Sequence, residues 1–333
     1  MRPVHYRLLA AGAALGAGLL SACGSMDSMS GGAGGNYPAR PVTLTAPAEP
    51  GSGWDLTARA FAQVLEEEKL NDTAIPVQNR VGATGSVWLS RMVTEYEGDP
   101  YQISVTSLPI MSNQLRGDSE YGYQDVTMIA RMITEYYMVV VPADSPYQTL
   151  DDLVAAIKAK PQSVPVGAAG DDQLPFALVL QEGGGDPQSI NFISYEGGGE
   201  EIAGLLNGDV KAAVAGVSEF RAQVEAGKLR ALGVLRDERL AAPLDDVPTA
   251  KELGYDVTLG NWRGIYGPPG MPASAVKYWQ DTIEKTLKTD AWDKVAAQNQ
   301  WETTYMEGKE LSGYLDKTHA EIRSALQETG AIK

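Results

Sequence analysis

Three glycine-rich turns, each between a predicted strand and a predicted helix, carry the residues best suited to bind a small molecule. The turns lie at residues 50–55, 167–172 and 196–200. Each would place bare backbone N–H groups at a helix N-terminus, where unpaired donors and the helix dipole favour an anion. Taken alone, each is more typical of a tight connection with an acidic helix cap. Several such turns at strand ends are what a cleft between two α/β domains requires.

Acidic residues lie in all three turns and complicate a simple anion site. A carboxylate there would repel an anionic ligand, but it could cap a helix or bind a ligand hydroxyl, an ammonium or a bridging water. We expect helix capping from Asp172 and Glu200 and a site role for Asp55. Arg80 and Arg263 could clamp a ligand carboxylate or form ordinary surface pairs. Two tryptophans beside these loops, Trp54 and Trp262, could be cleft wall or core.

The scarcity of histidine and cysteine excludes common catalytic classes. The chain contains only His5, His319 and Cys23 of these types, so Ser-His-Asp and Cys-His catalysis and His-rich zinc sites lack their residues. No Gly-Lys-Ser/Thr motif occurs, and the Gly51-Ser52-Gly53 turn lacks the third glycine of a dinucleotide turn. We therefore expect binding without catalysis, with no metal and no cofactor.

The N-terminal residues have the layout of a bacterial lipoprotein signal. Arg2 and Arg7 precede an apolar run at 8–20 that is too short to span a bilayer, and Leu-Ser-Ala leads directly to Cys23. We predict a signal peptide at 1–22, acylation of Cys23 and a flexible tether at 23–36. An ordinary cleaved signal with an incidental cysteine is the alternative. Either way the protein is exported, and acylation would anchor it to the membrane in the periplasm or at the cell surface.

The charge balance limits the possible partners. The chain has 27 Lys and Arg against 43 Asp and Glu, a net charge of −16, and residues 1–22 hold Arg2 and Arg7 but no acid. Such a chain repels nucleic acid and anionic lipid. Attachment to the bilayer must therefore come from lipid on Cys23 and not from a basic patch.

Strands and helices alternate through the body of the chain and predict α/β layers around largely parallel sheets. The region after 260–264 is predicted to be mostly helical. Strands are predicted at 42–46, 75–77, 102–106, 137–141, 164–166, 190–193, 212–215 and 229–234. Helices are predicted at 56–69, 86–96, 150–159, 174–182, 200–206 and 217–226.

A series of motifs in a fixed order resembles the Bug-type receptors, the extracytoplasmic substrate-binding proteins of tripartite tricarboxylate transporters. The resemblance extends from about 37 to beyond 272. The motifs are YPARP at 37–41, APAEPGSGWD at 46–55, QNRVGATG at 78–85, VVPADSP at 140–146, GKLRAL at 227–232, DVPT at 246–249 and NWRG at 261–264.

This resemblance implies an α/β fold with the two-lobed class II periplasmic-binding-protein architecture and a ligand cleft between the lobes. Lobe 1 is expected to comprise 37–134 and 262–333, and lobe 2 to comprise 135–261. The chain would cross between them near 131–137 and 259–265. Closure around a ligand would be a hinge motion.

The resemblance also implies that backbone N–H groups and hydroxyls of the strand–helix turns hold a small carboxylate. Two departures from the family pattern stand out: Ser52 replaces a commoner glycine, and Asp171-Asp172-Gln173 replaces a turn richer in Thr or Ser that ends in His. The implied contacts in lobe 1 are Gly51, Ser52, Gly53, Trp54, Asp55, Thr84 and Gly85. Those in lobe 2 are Gly170, Asp171, Asp172, Gly197, Gly198, Gly199 and Ser218.

The sequence thus predicts a monomeric, lipid-anchored receptor that captures a di- or tricarboxylate and delivers it to separate membrane permease subunits. One alternative is a receptor with the same binding site that reports to a signalling partner. Another is a secreted hydrolase that uses paired carboxylates, such as Glu200 with Asp55 or Asp172.

Overall fold

Ten strands and ten helices alternate in the computed structural model, which describes residues 37–333. The predicted signal peptide, Cys23 and the tether lie outside these residues. The strands are β1 Thr43–Ala46, β2 Val77–Asn79, β3 Gln102–Thr106, β4 Thr127–Pro142, β5 Pro165–Ala169, β6 Asn191–Tyr195, β7 Ala212–Gly216, β8 Leu229–Val234, β9 Gly260–Gly267 and β10 Glu302–Glu307. The helices are α1 Gly53–Glu67, α2 Ser86–Thr94, α3 Pro109–Arg116, α4 Leu150–Ala159, α5 Gln173–Glu182, α6 Gly198–Asn207, α7 Val217–Glu225, α8 Ala273–Thr286, α9 Asp290–Asn299 and α10 Gly308–Glu328.

The long strand β4 belongs to both lobes. Its first part pairs with β9 and β10, and its last pair with β9 is Tyr136 with Gly260. From Tyr137 onwards it pairs instead with β7 and β8. We therefore call β1, β2, β3, β9, β10 and the first part of β4 lobe 1, and β5 to β8 with the second part of β4 lobe 2. The exact boundaries at 134/135 and 261/262 stay predictions.

The sheet is mixed, so the predicted largely parallel arrangement is wrong at its centre. The pairs of β1 with β2 and β3, and of β5 with β6 and β7, are parallel. Every pair made by β4 or β9 is antiparallel. The chain returns from lobe 2 to lobe 1 through strand β9, which is antiparallel to β4. The sequence also missed β10 and α3.

Each lobe has its own hydrophobic core. In lobe 2, alternate residues of β4 face opposite sides of the sheet. Tyr137 and Val139 pack on the face covered by α4 and α5, while Met138 and Val140 pack on the face covered by α6 and α7. Burial on both faces fixes the register of this strand, because a shift by one residue would exchange its two sides. The helices of residues 37–333 include none with the length and apolar character needed to cross a membrane.

Candidate functional site

A cavity lies between the two lobes and brings most of the predicted turns together. The space that it offers to the centres of water molecules is about 60 Å³. One water needs roughly 10–15 Å³ on that measure, so the cavity suits a small ligand. Its walls are formed by Pro47, Ala48, Ser52, Gly53, Trp54, Thr84, Ser107, Pro109, Ala169, Asp171, Asp172, Glu196, Gly197, Glu219, Asn261 and Arg263.

The first turn forms the lobe 1 wall at the N-terminus of α1. Ser52 is the N-cap residue, and its Oγ accepts a hydrogen bond from the backbone N–H of Asp55. Gly53 follows, and a Cβ there would overlap the guanidinium of Arg263. The Trp54 ring lines the cavity and donates from Nε1 to Ser107 Oγ over 2.9 Å. The turn therefore presents a hydroxyl, a helix N-terminus and an aromatic wall to a ligand.

Asp55 and Gly51 belong to this turn but lie on its side away from the cavity, and they do not line the cavity. The Asp55 carboxylate accepts hydrogen bonds from Gly51 N, Arg59 Nε and Asn79 Nδ2, each over 2.9 Å. Burial alone would raise the pKa of Asp55, but these three partners together hold it below its ordinary value. Gly51 has φ +84°, a conformation that favours glycine. Both residues shape the turn, and the expected ligand contact by Asp55 stays a prediction without support from its position.

Thr84 forms a second part of the lobe 1 wall, whereas Gly85 does not line the cavity. Thr84 lines the cavity, and its carbonyl accepts a hydrogen bond from Asn113 Nδ2 over 3.1 Å. Gly85 lies behind the Trp54 ring, and a Cβ there would approach the ring to 3.0 Å. Gly85 thus sets the position of Trp54.

The lobes contact one another at the first lobe 2 turn. Asp171 Oδ1 lies 2.7 Å from Arg116 Nη2 and 2.6 Å from Ser112 Oγ, and both partners belong to α3 of lobe 1. A Cβ at the neighbouring Gly170 would lie 2.8 Å from Thr84 Oγ1. The two lobes therefore touch at this turn, and Asp171 bonds the opposite lobe.

Asp172 faces the cavity, and the prediction that it caps α5 is wrong. It occupies the N-cap position, but its side chain accepts no hydrogen bond from the helix. Burial, followed by repulsion from Glu219 and Asp171, raises the pKa of Asp172 well above its ordinary value. Glu200 differs from Asp172 in this respect. Its carboxylate accepts a hydrogen bond from the backbone N–H of Glu196, just before α6.

The third turn brings the lobes together again. Gly197 lines the cavity, and a Cβ there would lie 2.9 Å from Ser52 Cβ in the opposite lobe. Gly198 and Gly199 belong to the start of α6 and do not line the cavity. The N–H of Gly198 donates to Glu219 Oε2 over 2.9 Å.

Glu219, on α7, is a cavity residue that sequence reasoning missed. Its carboxylate lies at the N-termini of α6 and α1, where we expected a ligand anion. Burial and then Glu135 raise the pKa of Glu219, while Arg263 and the N–H groups of Gly198 and Gly53 oppose the rise. Glu219 lies in the first turn of α7, directly after β7. This position at a strand–helix junction is the sequence signal that could have identified it.

Arg263, on β9, connects the first turn to Glu135 on β4, the strand that belongs to both lobes. Its Nη1 donates to Gly53 O over 2.7 Å and to Thr57 Oγ1 over 2.9 Å. Its Nη2 forms an ion pair with Glu135. Glu135 Oε1 in turn accepts the N–H of Ser218 over 2.7 Å. Ser218 therefore faces this buried network and does not line the cavity, and Arg263 lines the cavity with its charge already paired.

Asn261 is the other wall residue that sequence reasoning left unused. It is 8% exposed, and its buried Oδ1 has no hydrogen-bond partner among residues 37–333. Asn261 belongs to the NWRG motif, but in that motif only Arg263 was considered as a contact for a ligand carboxylate. Of the remaining candidates, Trp262 is core, and Arg80 pairs with Gln78 on the surface. No group of His, Cys, Asp or Glu within residues 37–333 is arranged to hold a metal ion.

Comparison with known families agrees with this geometry. Residues 57–331 match the family described as the tripartite tricarboxylate transporter family receptor. The chain belongs to this family. The protein BugT of Bordetella pertussis is 26% identical over 89% of this chain and 91% of its own length. A transporter receptor binds its solute without converting it, so the predictions of a Bug-type receptor and of a non-enzyme are confirmed.

Solved structures show the same two-lobed fold. An R. palustris protein solved with adipate is similar with a TM-score of 0.81, 21% identity and coverage of 89% of this chain and 99% of that chain. MatC from Rhodopseudomonas palustris with bound malate is similar with a TM-score of 0.73, 20% identity and coverage of 88% and 99%. The periplasmic binding protein BugD is similar with a TM-score of 0.80, 20% identity and coverage of 88% of this chain and 99% of that chain, so the predicted periplasmic-binding-protein architecture is confirmed.

Proposed function

We propose that this receptor captures a small carboxylate between its lobes and delivers it to the permease subunits of a tripartite tricarboxylate-type transporter. The cavity between the lobes carries the proposal, because it places the N-terminus of α1, Thr84 and the Gly197 turn around a space for one small molecule. Its fold relatives hold adipate and malate. No catalytic group is needed for this role.

We further propose that the receptor acts outside the cytoplasm on a membrane anchor. Residues 1–22 would direct export, acylated Cys23 would hold the protein to the bilayer, and 23–36 would let the lobes reach the permease. A net charge of −16 gives the protein no attraction of its own to anionic lipid.

The first test is thermal unfolding of the purified full-length protein with a panel of mono-, di- and tricarboxylates. A ligand that binds only the folded protein stabilises it by about 2.7 kcal/mol at 100 times its Kd. We expect a clear rise in Tm with at least one small carboxylate and none with its methyl ester. An unchanged Tm with every member, in protein freed of co-purified ligand by unfolding and refolding, would contradict carboxylate capture.

The second test separates transport from sensing. Cells lacking this chain are expected to lose uptake of the radiolabelled ligand, and re-expression is expected to restore it. Normal uptake with an altered transcriptional response to the ligand would favour the signalling alternative.

A further inference from the structure

The two lobes contribute different chemistry to the cavity. Lobe 1 provides the hydroxyls of Ser52, Thr84 and Ser107 and the N-terminus of α1. Lobe 2 provides carboxylates, and the acidic wall residues are Asp171, Asp172, Glu196 and Glu219. A bound molecule therefore meets hydrogen-bond donors on one side and acceptors on the other.

Most of the lobe 2 acids have no cation beside them. Asp171 pairs with Arg116. Among residues 37–333, Asp172, Glu196 and Glu219 have no Lys or Arg nitrogen within 4.0 Å. Arg263, the basic wall residue, is paired with Glu135. Burial raises the pKa of Asp172 and of Glu219, so a second ligand carboxylate against this wall would raise both further, whereas a cation would favour their ionised forms.

Glu219 also occupies the place that a second ligand carboxylate would take. Its Oε2 accepts the N–H of Gly198 at the start of α6, and its pKa is lowered by the N–H of Gly53 at the start of α1. A dianion that bound to both helix N-termini would have to displace this side chain. Glu219 therefore selects against ligands whose only polar groups are carboxylates.

An independent observation concerns Asn261. The residue lines the cavity, and its Oδ1 is buried without a partner among the described residues. A buried acceptor without a donor costs about 1–3 kcal/mol. Within this cavity, its natural partner is an N–H group of the ligand.

Resting on the proposed function, we propose that the ligand carries a protonated amine as well as a carboxylate, as a small amino acid does. The amine faces Asp172 and Glu219 of the acidic wall together with Asn261 of β9, and the carboxylate faces Ser52, Thr84 and Ser107 of lobe 1. The ammonium supplies both the missing countercharge and the missing donor. This assigns Glu219 as the residue that separates amino acids from plain dicarboxylates.

Calorimetric titration of the full-length protein with matched pairs tests the inference. The pairs are alanine with propionate, aspartate with succinate, and glutamate with glutarate; N-acetylalanine and N-acetylaspartate keep the carboxylates but remove the cation. We expect one amine-bearing member to bind at least about tenfold more tightly than its partner. Equal or tighter binding of the plain carboxylate overturns the inference and leaves the carboxylate receptor intact. If no carboxylate of either kind binds, the proposed function fails as well.

Isosteric variants test which acidic residues cause the preference for an amine-bearing ligand. Glu219→Gln and Asp172→Asn are each expected to weaken the amine-bearing ligand about tenfold or more and to leave or improve binding of its plain partner. Glu225→Gln is the matched control, because this residue lies on the same helix and pairs with Arg221 away from the cavity. An equal loss for both members of a pair, or an unchanged preference in both variants, overturns the assignment. The unliganded Tm of each variant shows that it is folded.

Discussion

Replacement of Arg263 by methionine is expected to lower the free energy of unfolding by about 3–5 kcal/mol. Arg263 is 2% exposed and its partner Glu135 is 0% exposed. The variant would leave the Glu135 carboxylate buried without its cation and remove the hydrogen bonds to Gly53 O and Thr57 Oγ1. Urea unfolding of the purified protein, followed by tryptophan fluorescence, measures the change.

A double-mutant cycle provides the control for this prediction. Glu135→Leu alone is expected to destabilise by a similar amount, because it strands the Arg263 guanidinium. The double variant is expected to recover much of the loss, since a buried ion pair replaced by apolar side chains is often nearly neutral. Strictly additive losses would show that the two residues do not act as a buried pair.

Replacement of Gly197 by alanine is expected to weaken ligand binding by about 10- to 100-fold. The new Cβ would lie 2.9 Å from Ser52 Cβ across the cleft, closer than real Cβ contacts. The lobes could then no longer close fully, so the population of the closed, binding-competent state would fall. Titration with the best ligand of the panel measures the Kd, and the Tm without ligand measures separately the strain of alanine at φ +159°.

Gly199→Ala is the matched control from the same turn. Its Cβ would meet nothing closer than Pro50 O at 3.9 Å, an ordinary van der Waals contact. We expect affinity close to that of the unmodified protein. Equal losses in the two variants would mean that the turn itself, and not closure of the lobes, controls binding.

The sequence predicted the elements that local signals specify. Helix α4 was predicted at its observed bounds, with Lys160 and Pro161 directly after its last residue, and the structure shows a capping box of Thr149 and Asp152 at its start. The turns at Ser52 and Gly197 were found because glycine at a strand–helix junction indicates a close approach of backbone. These signals depend on neighbours within a few residues.

The missed elements have physical reasons. Strand β9 contains Gly260, Gly264 and Gly267, which are typical of turns. At Gly264 a Cβ would come within 2.5 Å of Ala130 O in the adjacent strand, so glycine is required there by packing that the sequence does not show. Strand β10 is half-exposed and lacks the apolar alternation that identifies a strand.

Long-range pairings within the site were equally hidden. Asp171 was read as a ligand contact, yet its partner Arg116 lies 55 residues earlier in the opposite lobe. Glu219 follows a short apolar strand with no glycine-rich turn of the kind that drew attention elsewhere. Only the folded arrangement shows that one carboxylate bonds the opposite lobe and the other faces the cavity.

The central claim is that a small carboxylate is held between the lobes. A crystal structure of the protein with the carboxylate that raises Tm most tests it directly. We expect ligand density between the Ser52–Trp54 turn and Gly197, with a carboxylate oxygen within hydrogen-bond distance of Ser52, Thr84 or the α1 N-terminus. Density confined to the outer surface, with the cleft free of ligand, would contradict it.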